Sequence, residues 1–283
     1  MPLRGSIPET TDKRLKMLMF GEAGAGKTTC SIQFPRPYVI DTEKGAENDQ
    51  YINAIKKRGG AYWSCNDFDE IMNEIRSLLS EKHEYRTVVI DPVTTIHDAL
   101  LDKKEQQVGS DFGRHYGAAK KEFKRLCNLL VRLDMNVILT SHHKNLYGAG
   151  TMQVSGKTFD GPKGLDYLFD LVLEIQVLGT ERWAAVRKSR FPNIAVNESF
   201  EFTYDVLAEK YGREVLEREA VAVKLANPGQ VEKVETLFAR LPDGDKLKEQ
   251  WLDKKKVSAV SEVSEDDILK AIEYLTNQSK GLK

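Results

Sequence analysis

The chain has few cysteines and no long apolar run. Its three cysteines, Cys30, Cys65 and Cys127, are widely spaced and show neither CxxC nor Cys/His ligand spacing. They predict reduced thiols rather than a disulfide framework or a zinc site. No apolar run approaches the roughly 20 residues that a membrane span needs, and residues 1–16 lack the apolar core of a secretory signal. We therefore expect a soluble cytoplasmic protein without a membrane partner.

The chain also lacks an excess of charge of either sign. Its formal net charge is −1 at pH 7, and its pI is near 6.6. This balance is not the bulk basic character of an obvious nucleic-acid-binding protein. Any contact with nucleic acid must therefore be local, through loops or through the assembly of several subunits. The length of 283 residues allows one large α/β domain and a small appendage.

What the sequence does contain is the stretch MLMFGEAGAGKTTCSIQF, which runs from Met17 to Phe34. An apolar strand, Leu15–Phe20, leads into a G-x-x-x-x-G-K-[ST] loop whose backbone N–H groups can surround a phosphate. Lys27 would reach the β- and γ-phosphates, and the Thr28 hydroxyl would bind Mg²⁺. The alternative is a glycine-rich turn without a ligand. The predicted phosphate-binding residues are Gly21, Glu22, Ala23, Gly24, Ala25, Gly26, Lys27, Thr28 and Thr29.

Two further apolar runs end in carboxylates. TVVIDPVTTI (Thr87–Ile96) reads as a buried strand ending in Asp91, which can hold Mg²⁺ in the Walker B role. Pro92 follows, where many translocating ATPases have the glutamate that polarises water, so the base must lie elsewhere. PYVIDTEKG (Pro37–Gly45) predicts a second strand next to the P-loop strand, with Glu43 at its tip as the candidate. The alternative for Glu43 is a solvated loop residue.

A fourth strand, Met135–Lys144, ends in polar residues. Side chains at the tip of a strand beside Walker B can sense the γ-phosphate, and the candidates are Ser141, His142 and His143. The two histidines could instead be surface loop residues. A His–His metal site would need a third ligand, and none is evident.

The order of these features resembles the RecA-type recombinase core. More closely, it is similar to the small phage-encoded RecA-like ATPases of the Sak single-strand annealing group, often labelled phage nucleotide-binding or AAA-family proteins. The resemblance extends from Leu15 to Asn227, and the P-loop is its only highly specific motif. It implies an α/β fold: a RecA-like P-loop NTPase core with a mainly parallel sheet flanked by helices. ATP and Mg²⁺ are the implied cofactors.

The resemblance also implies roles for individual residues. Glu43 falls on the catalytic carboxylate of RecA-like proteins. The polar tip of the fourth strand couples the γ-phosphate to a DNA-binding loop, although this chain has histidine where the family has Gln or Asn. Lys188 and Arg190 end the second strand of a predicted hairpin and would reach a neighbour's γ-phosphate, which implies a homo-oligomer, as a ring or a filament. The alternative for this pair is an exposed basic strand end.

Two predicted loops occupy the positions of the family's DNA-binding loops, Asp102–Gly117 and Lys144–Gly164. Both contain glycine together with basic and aromatic residues, which suit phosphate contact and base stacking on a single strand. A lid over a small-molecule acceptor is the alternative. The candidate DNA-binding residues are Lys103, Lys104, Arg114, Tyr116, Lys144, Tyr147 and Lys157. The segment Tyr116–Leu133 between the loops predicts a scaffold helix.

The C-terminal part predicts a separate accessory module. Phe202–Val223 reads as a helix that closes an ATPase domain of residues 1–226, and Asn227–Gln230 (NPGQ) reads as a linker. Residues 227–283 then form a small C-terminal helical module with three helical patterns. The clearest pattern begins at Ser264, where Asp267 completes a capping box. A run of three lysines, Lys254, Lys255 and Lys256, is either solvated or in contact with nucleic acid.

These features together predict an ATP-dependent, Mg²⁺-requiring ATPase that binds single-stranded DNA and promotes annealing or recombination. Its partners would be single-stranded DNA, further copies of itself and a single-strand DNA-binding protein. One alternative is a P-loop kinase that phosphorylates a small molecule. Another is a nucleotide-switched binding protein or packaging ATPase without annealing activity. No guanine-reading motif is evident, so ATP is the expected nucleotide.

Overall fold

The computed structural model describes residues 13–147 and 153–280. Within these residues, ten strands form an eight-stranded sheet and a two-stranded sheet. The strands are β1 (Lys16–Gly21), β2 (Pro37–Asp41), β3 (Ala61–Ser64), β4 (Thr87–Asp91), β5 (Asn136–Ser141), β6 (His143–Tyr147), β7 (Val154–Phe159), β8 (Leu171–Leu178), β9 (Glu181–Ser189) and β10 (Ser199–Glu201). The α-helices are α1 (Lys27–Ser31), α2 (Asp49–Lys57), α3 (Phe68–Ser80), α4 (Val93–Val108), α5 (Arg114–Arg132), α6 (Tyr204–Tyr211), α7 (Arg213–Glu217), α8 (Pro228–Ala239), α9 (Gly244–Lys255) and α10 (Glu265–Lys280).

The large sheet is mainly parallel, with the strand order β10-β9-β8-β1-β5-β4-β2-β3. The six strands from β8 to β3 are parallel, and β9 and β10 add antiparallel pairs at one edge. The predicted α/β class with a mainly parallel sheet is confirmed, as is the hairpin of β8 and β9.

One expectation about the strand order is wrong. The strand before Glu43, β2, is not next to β1, because β5 and β4 lie between them.

Apolar side chains on both faces of the central strands explain why these sequences form buried strands. All residues of β1, β4 and β5 are buried, as expected for parallel strands covered by helices on both sides. Alternate residues point to opposite faces. On one face Leu18 and Phe20 pack with α3, α4 and α5. On the other face Met17 and Met19 pack with α1, α2 and α6. The carboxyl ends of these strands therefore meet at one rigidly packed edge.

The first predicted DNA-binding loop, Asp102–Gly117, is mostly helical. Helix α4 continues to Val108 and α5 begins at Arg114, so only residues 109–113 lie outside the two α-helices. Gly109 and Gly113 adopt positive φ and allow the sharp reversal between the helices. The mixed polar composition of Asp102–Val108 belongs to an exposed helix surface rather than to a loop.

The second predicted loop, Lys144–Gly164, contains an antiparallel hairpin of β6 and β7. The residues between the two strands, 148–152, lie outside the described part of the chain. The hairpin follows β5 directly and packs beside β1, where the Phe20 and Phe159 rings meet edge to face with centroids 6.4 Å apart. The polar tip of β5 is thus joined to a defined strand pair rather than to an irregular loop.

Several expectations for the second half of the chain need correction. The predicted helix Phe202–Val223 is two short helices, α6 and α7, because Gly212 between them has a φ of 114°. The predicted linker NPGQ is the start of α8. Asn227 caps this helix in a capping box with Gln230, and Pro228 occupies the first turn. Four elements, β3, α2, α3 and β10, have no counterpart among the elements predicted from the sequence.

The three expected C-terminal helices are present as α8, α9 and α10. They share a small apolar core that includes Val234, Phe238 and Ile268. The predicted start of α10 is confirmed, since the Asp267 N–H donates to Ser264 Oγ at 3.4 Å. An ion pair between Arg76 Nε and Glu262 Oε1, 2.8 Å apart, joins this region to α3. The division of the chain after residue 226 stays a prediction.

Across the residues that the structure describes, no helix combines the length and the apolar character required to cross a bilayer.

Candidate functional site

The glycines of the P-loop are required by close packing and by backbone conformation. A Cβ on Gly21 would stand 2.5 Å from the Ile175 carbonyl oxygen of the neighbouring strand β8. Gly24 and Gly26 adopt φ of 74° and 89°, which side-chain-bearing residues rarely adopt. Helix α1 begins directly after Gly26, so its first N–H groups have no acceptor within the helix. The loop is therefore shaped to present donors to an anion.

Lys27, Thr28 and Asp91 come together at the carboxyl ends of β1 and β4. Lys27 Nζ donates to the carbonyl oxygens of Gly21 and Glu22, each at 2.9 Å. Thr28 Oγ1 donates to Asp91 Oδ2 at 2.5 Å. Burial raises the pKa of Asp91, and the bonds from Thr140 and Thr28 and the charge of Lys27 oppose this rise. These contacts bring together the predicted phosphate-binding lysine and the predicted metal-binding pair.

The donor set fits a nucleotide with Mg²⁺. A hydroxyl oxygen and a carboxylate oxygen within 2.5 Å of each other are hard ligands of the kind that Mg²⁺ prefers. Thr29 continues the first turn of α1, where its hydroxyl lies 3.5 Å from that of Tyr51. In the described ranges, no group of three or more His, Cys, Asp or Glu side chains could hold a metal on its own. Such sparse protein ligation is usual for Mg²⁺, which keeps several waters and binds through substrate phosphates.

Asp41 at the end of β2 shapes the loop that carries Glu43. Its carboxylate is buried and accepts hydrogen bonds from the N–H groups of Glu43, Gly45 and Ala46 at 3.1, 3.2 and 2.7 Å. It also accepts from the Tyr62 hydroxyl at 3.0 Å. Asp41, the first carboxylate of the D-x-E sequence, is thus structural. Glu43, the second carboxylate, faces the site.

We expect Asp41→Ala to lower the free energy of unfolding by about 2–4 kcal/mol, since it leaves four buried or partly buried donors without their acceptor. Urea unfolding measures the change. Glu43→Ala is the matched control from the same loop. Because the Glu43 side chain is 41% exposed, this control should cost less than about 1 kcal/mol. Equal losses in the two variants would contradict the structural role of Asp41.

Glu43 lies beside the polar tip of β5. Thr95 Oγ1 donates to Glu43 Oε1 at 2.6 Å, and His142 Nε2 lies 3.4 Å from Glu43 Oε2. Burial lowers the pKa of Lys27, and the negative charge of the nearby Glu43 opposes this lowering. The predicted carboxylate and one of the predicted sensor residues are therefore neighbours, although their strands, β2 and β5, are separated by β4.

The other two sensor candidates are placed differently. Ser141 is fully buried, and its hydroxyl bonds to the Asp160 carbonyl oxygen at 2.8 Å and to the Asp160 N–H at 3.0 Å. This side chain ties the end of β5 to the end of β7. His143 starts β6 opposite Phe159. Of the three candidates, His142 alone contacts the predicted catalytic carboxylate.

Lys188 and Arg190 lie at the opposite end of the strands from the P-loop of the same chain, because β9 runs antiparallel to β8 and ends where β8 begins. Lys188 Nζ donates to the carbonyl oxygens of Asp166 and Phe169 at 2.6 and 2.8 Å, and burial lowers its pKa. Arg190 pairs with Asp170 at 2.7 Å. Neither residue can reach the γ-phosphate position of its own subunit. Their predicted role requires a second subunit and the release of these contacts.

Four of the seven predicted DNA-binding residues are already paired. Lys103 pairs with Asp69 at 2.6 Å, and the buried Lys104 pairs with Glu122 at 2.5 Å. Lys144 pairs with Asp160 at 3.1 Å. Lys157 on β7 pairs with Glu22 of the P-loop at 2.5 Å, which joins the hairpin to the phosphate-binding loop. We withdraw Lys104 as a DNA contact because it is buried within the α4–α5 packing.

The remaining three candidates, Arg114, Tyr116 and Tyr147, are exposed. Sequence reasoning missed Phe112, which lies between α4 and α5 with its side chain fully exposed. An exposed aromatic ring near a basic residue is the arrangement that stacks on unpaired bases. The sequence does contain a signal for this residue, because Phe112 lies within the predicted loop and directly precedes a glycine.

Arg182 is a second residue that sequence reasoning missed. It lies near the start of β9, and its Cδ would stand 2.9 Å from a Cβ placed on Gly26. The guanidinium stem therefore covers the P-loop within the same chain. No local motif marks this arginine, because β9 comes near the P-loop through the pairing of β8 with β1, which are distant in sequence.

The fold and the site together define a P-loop nucleotide-binding protein of the ATPase class. Residues 13–198 match the family model described as an AAA domain, and the chain belongs to this AAA domain family. Among solved structures, the chain is similar to the crystal structure of the RadB recombinase. The identity is 17%, the TM-score is 0.43, and the match covers 67% of this chain and 88% of that chain. No curated protein matches the chain.

Proposed function

We propose that the chain is a RecA-like ATPase that hydrolyses ATP with Mg²⁺, binds single-stranded DNA and promotes annealing or recombination. Within this class we assign it to the phage-encoded Sak single-strand annealing group. The observation that carries the proposal is the meeting of Lys27, Thr28, Asp91 and Glu43 at one edge of the sheet, beside a hairpin that is tied to the P-loop.

Each residue has a chemical task that follows from its position. The P-loop N–H groups and Lys27 would hold the phosphates, and Thr28 with Asp91 would hold the metal. Bound Mg²⁺ would supply neutralisation of the phosphate charge. Glu43, which accepts a hydrogen bond from Thr95, would orient a water and accept its proton. These groups act by positioning and electrostatics, which is the main requirement of phosphoryl transfer.

His142 and Lys157 would connect the nucleotide site to DNA. His142 contacts Glu43 and immediately precedes β6, while Lys157 on β7 contacts Glu22. The residue before β6 and the strand β7 thus each have a polar contact with the nucleotide site. A change at the γ-phosphate position can then shift the hairpin, whose exposed Tyr147 would contact unpaired bases, as would the exposed Phe112 between α4 and α5.

Completion of the site by a second subunit is part of the proposal. Lys188 and Arg190 would supply positive charge in trans, a device worth about 10³–10⁵ in rate where it is known. A homo-oligomer, as a ring or a filament, follows from this arrangement. A single-strand DNA-binding protein is the further partner that we propose, since it would cover the same DNA.

The test is ATP hydrolysis by the purified protein with and without single-stranded DNA, with Lys27→Ala as the blank. We expect DNA to stimulate hydrolysis, because the hairpin contacts the P-loop. No stimulation, together with no DNA binding in a non-hydrolysable ATP analogue, would contradict the proposal. Release of a phosphorylated small molecule would favour the kinase alternative. Nucleotide-dependent binding of a protein without DNA affinity would favour the switch alternative.

A further inference from the structure

A row of basic side chains lies on the solvent-facing side of α5, away from the residues of the nucleotide site. It lines a cleft of about 550 Å³ between α5 and the end of α9, which we call the α5–α9 cleft. Lys120 and Lys163 extend the row into a neighbouring cavity of about 230 Å³. The basic residues of the α5–α9 cleft are Lys121, Lys124, Arg125 and Lys256.

These cations differ from the predicted DNA-binding lysines in having no partner among the residues that the structure describes. Within residues 13–147 and 153–280, no ion pair or side-chain hydrogen bond involves Lys120, Lys121, Lys124, Arg125, Lys163 or Lys256. By contrast, Lys103, Lys104, Lys144 and Lys157 each have a carboxylate within 3.1 Å. The chain as a whole has a net charge of −1, so composition does not account for such a concentration of unpaired cations.

The other residues of the cleft define the shape of its ligand. The two walls of the cleft differ in charge. Glu249 and Asp253 line the wall formed by α9, and the wall formed by α5 is basic. Leu168, Leu252 and Val257 provide apolar surface between the two walls. A ligand that fits this lining has repeated negative charge on one side and apolar surface on the other. A single nucleic acid strand has this character, with phosphates along one side and bases along the other.

We propose that the α5–α9 cleft binds the sugar–phosphate backbone of a single DNA strand, as a contact site additional to Phe112 and the β6–β7 hairpin. This proposal rests on the proposed function. Lys121 and Arg125 are roughly 6 Å apart along the helix, and such regular spacing suits a polymer with one charge on each unit.

The position of the cleft supports the same ligand. Lys120 and Lys124 share the neighbouring cavity with Pro162, Lys163 and Gly164, which follow β7. The row of cations therefore continues from the segment after the hairpin, along α5, to the first residue after α9. A strand held at the hairpin can run along this row without leaving the surface.

The test compares two double variants in binding of a fluorescent thymidine oligonucleotide over a range of salt concentrations. Lys121→Ala/Lys124→Ala should weaken binding on the order of 10-fold at low salt. It should also reduce the salt slope by about 1.4, because each phosphate that a lysine neutralises contributes about 0.7 to the slope for a single strand. Lys56→Ala/Lys57→Ala removes the same charge from the exposed end of α2 and should leave affinity and slope unchanged.

The outcomes separate this proposal from the proposed function. If the wild-type chain binds the oligonucleotide and the two double variants behave alike, the cleft proposal fails and the proposed function stands. If the wild-type chain does not bind it with or without nucleotide, the proposed function fails and the cleft proposal fails with it. If only the cleft variant loses binding, in affinity and in salt slope, the cleft is supported even where DNA does not stimulate hydrolysis.

Discussion

Lys27→Ala is expected to reduce the affinity for ATP by about 100-fold or more and to abolish hydrolysis. Two hydrogen bonds to a charged phosphate are worth about 3 kcal/mol or more, and a tenfold change in affinity corresponds to about 1.4 kcal/mol. Lys27 is the one cationic side chain of the P-loop, and its Nζ lies 2.9 Å from the carbonyl oxygens of Gly21 and Glu22.

Isothermal titration with a non-hydrolysable ATP analogue and Mg²⁺ measures this effect directly. Lys57→Ala, an exposed lysine at the end of α2, is the control for loss of one positive charge. Urea unfolding shows whether each variant is folded. Retained affinity in a folded Lys27→Ala variant would overturn the assignment of the nucleotide site, and equal weakening by Lys57→Ala would show a general charge effect.

The parts of the site that were predictable are those that local sequence determines. A P-loop is contiguous, so one motif gives its lysine, its hydroxyl and its glycines together. The strands β1, β4 and β5 are continuous apolar runs because both of their faces are covered. Asp91 could be predicted for the same reason, since it stands where such a run ends.

The parts that were not predictable depend on pairs distant in sequence. Asp102–Val108 was assigned to a loop because it occupies the position of a family DNA-binding loop, but its Lys, Glu and Gln residues favour a helix and form the mostly exposed end of α4. Lys104 was predicted to contact DNA because it is a basic residue of the Asp102–Gly117 segment. Its partner, Glu122, lies on a different helix, so the ion pair is not visible in the local sequence. Arg182 reaches Gly26 only because β9 returns along β8. A basic residue in sequence shows a charge, and only the fold shows whether that charge is already neutralised.

Glu43 illustrates both situations. Its D-x-E context at a strand end is visible in the sequence, and Asp41 proves to be the structural carboxylate of the pair. The neighbouring strand was predicted wrongly, because sequence order does not give sheet order. The contact between Glu43 and His142 nevertheless forms, since parallel strands place their carboxyl ends at the same edge.

Glu43→Gln is accordingly expected to lower kcat for ATP hydrolysis by about 10²–10⁴-fold, the range typical of a lost general base. ATP affinity should stay within about threefold of wild type, a difference below about 0.7 kcal/mol. Glutamine keeps the shape of the side chain and an oxygen that can accept the bond from Thr95. The change therefore removes the basic oxygen while the loop held by Asp41 stays in place.

Single-turnover hydrolysis and analogue binding, measured on the same preparation, separate the possible roles of Glu43. Glu47→Gln is the matched control, because Glu47 is exposed on the same loop and has no predicted contact with the nucleotide. A normal kcat in Glu43→Gln would place the base elsewhere, and His142 would be the first residue to examine. A parallel fall in affinity and rate would instead make Glu43 a binding residue. Loss of rate alone, with Glu47→Gln unaffected, assigns the proton acceptor to the loop after β2.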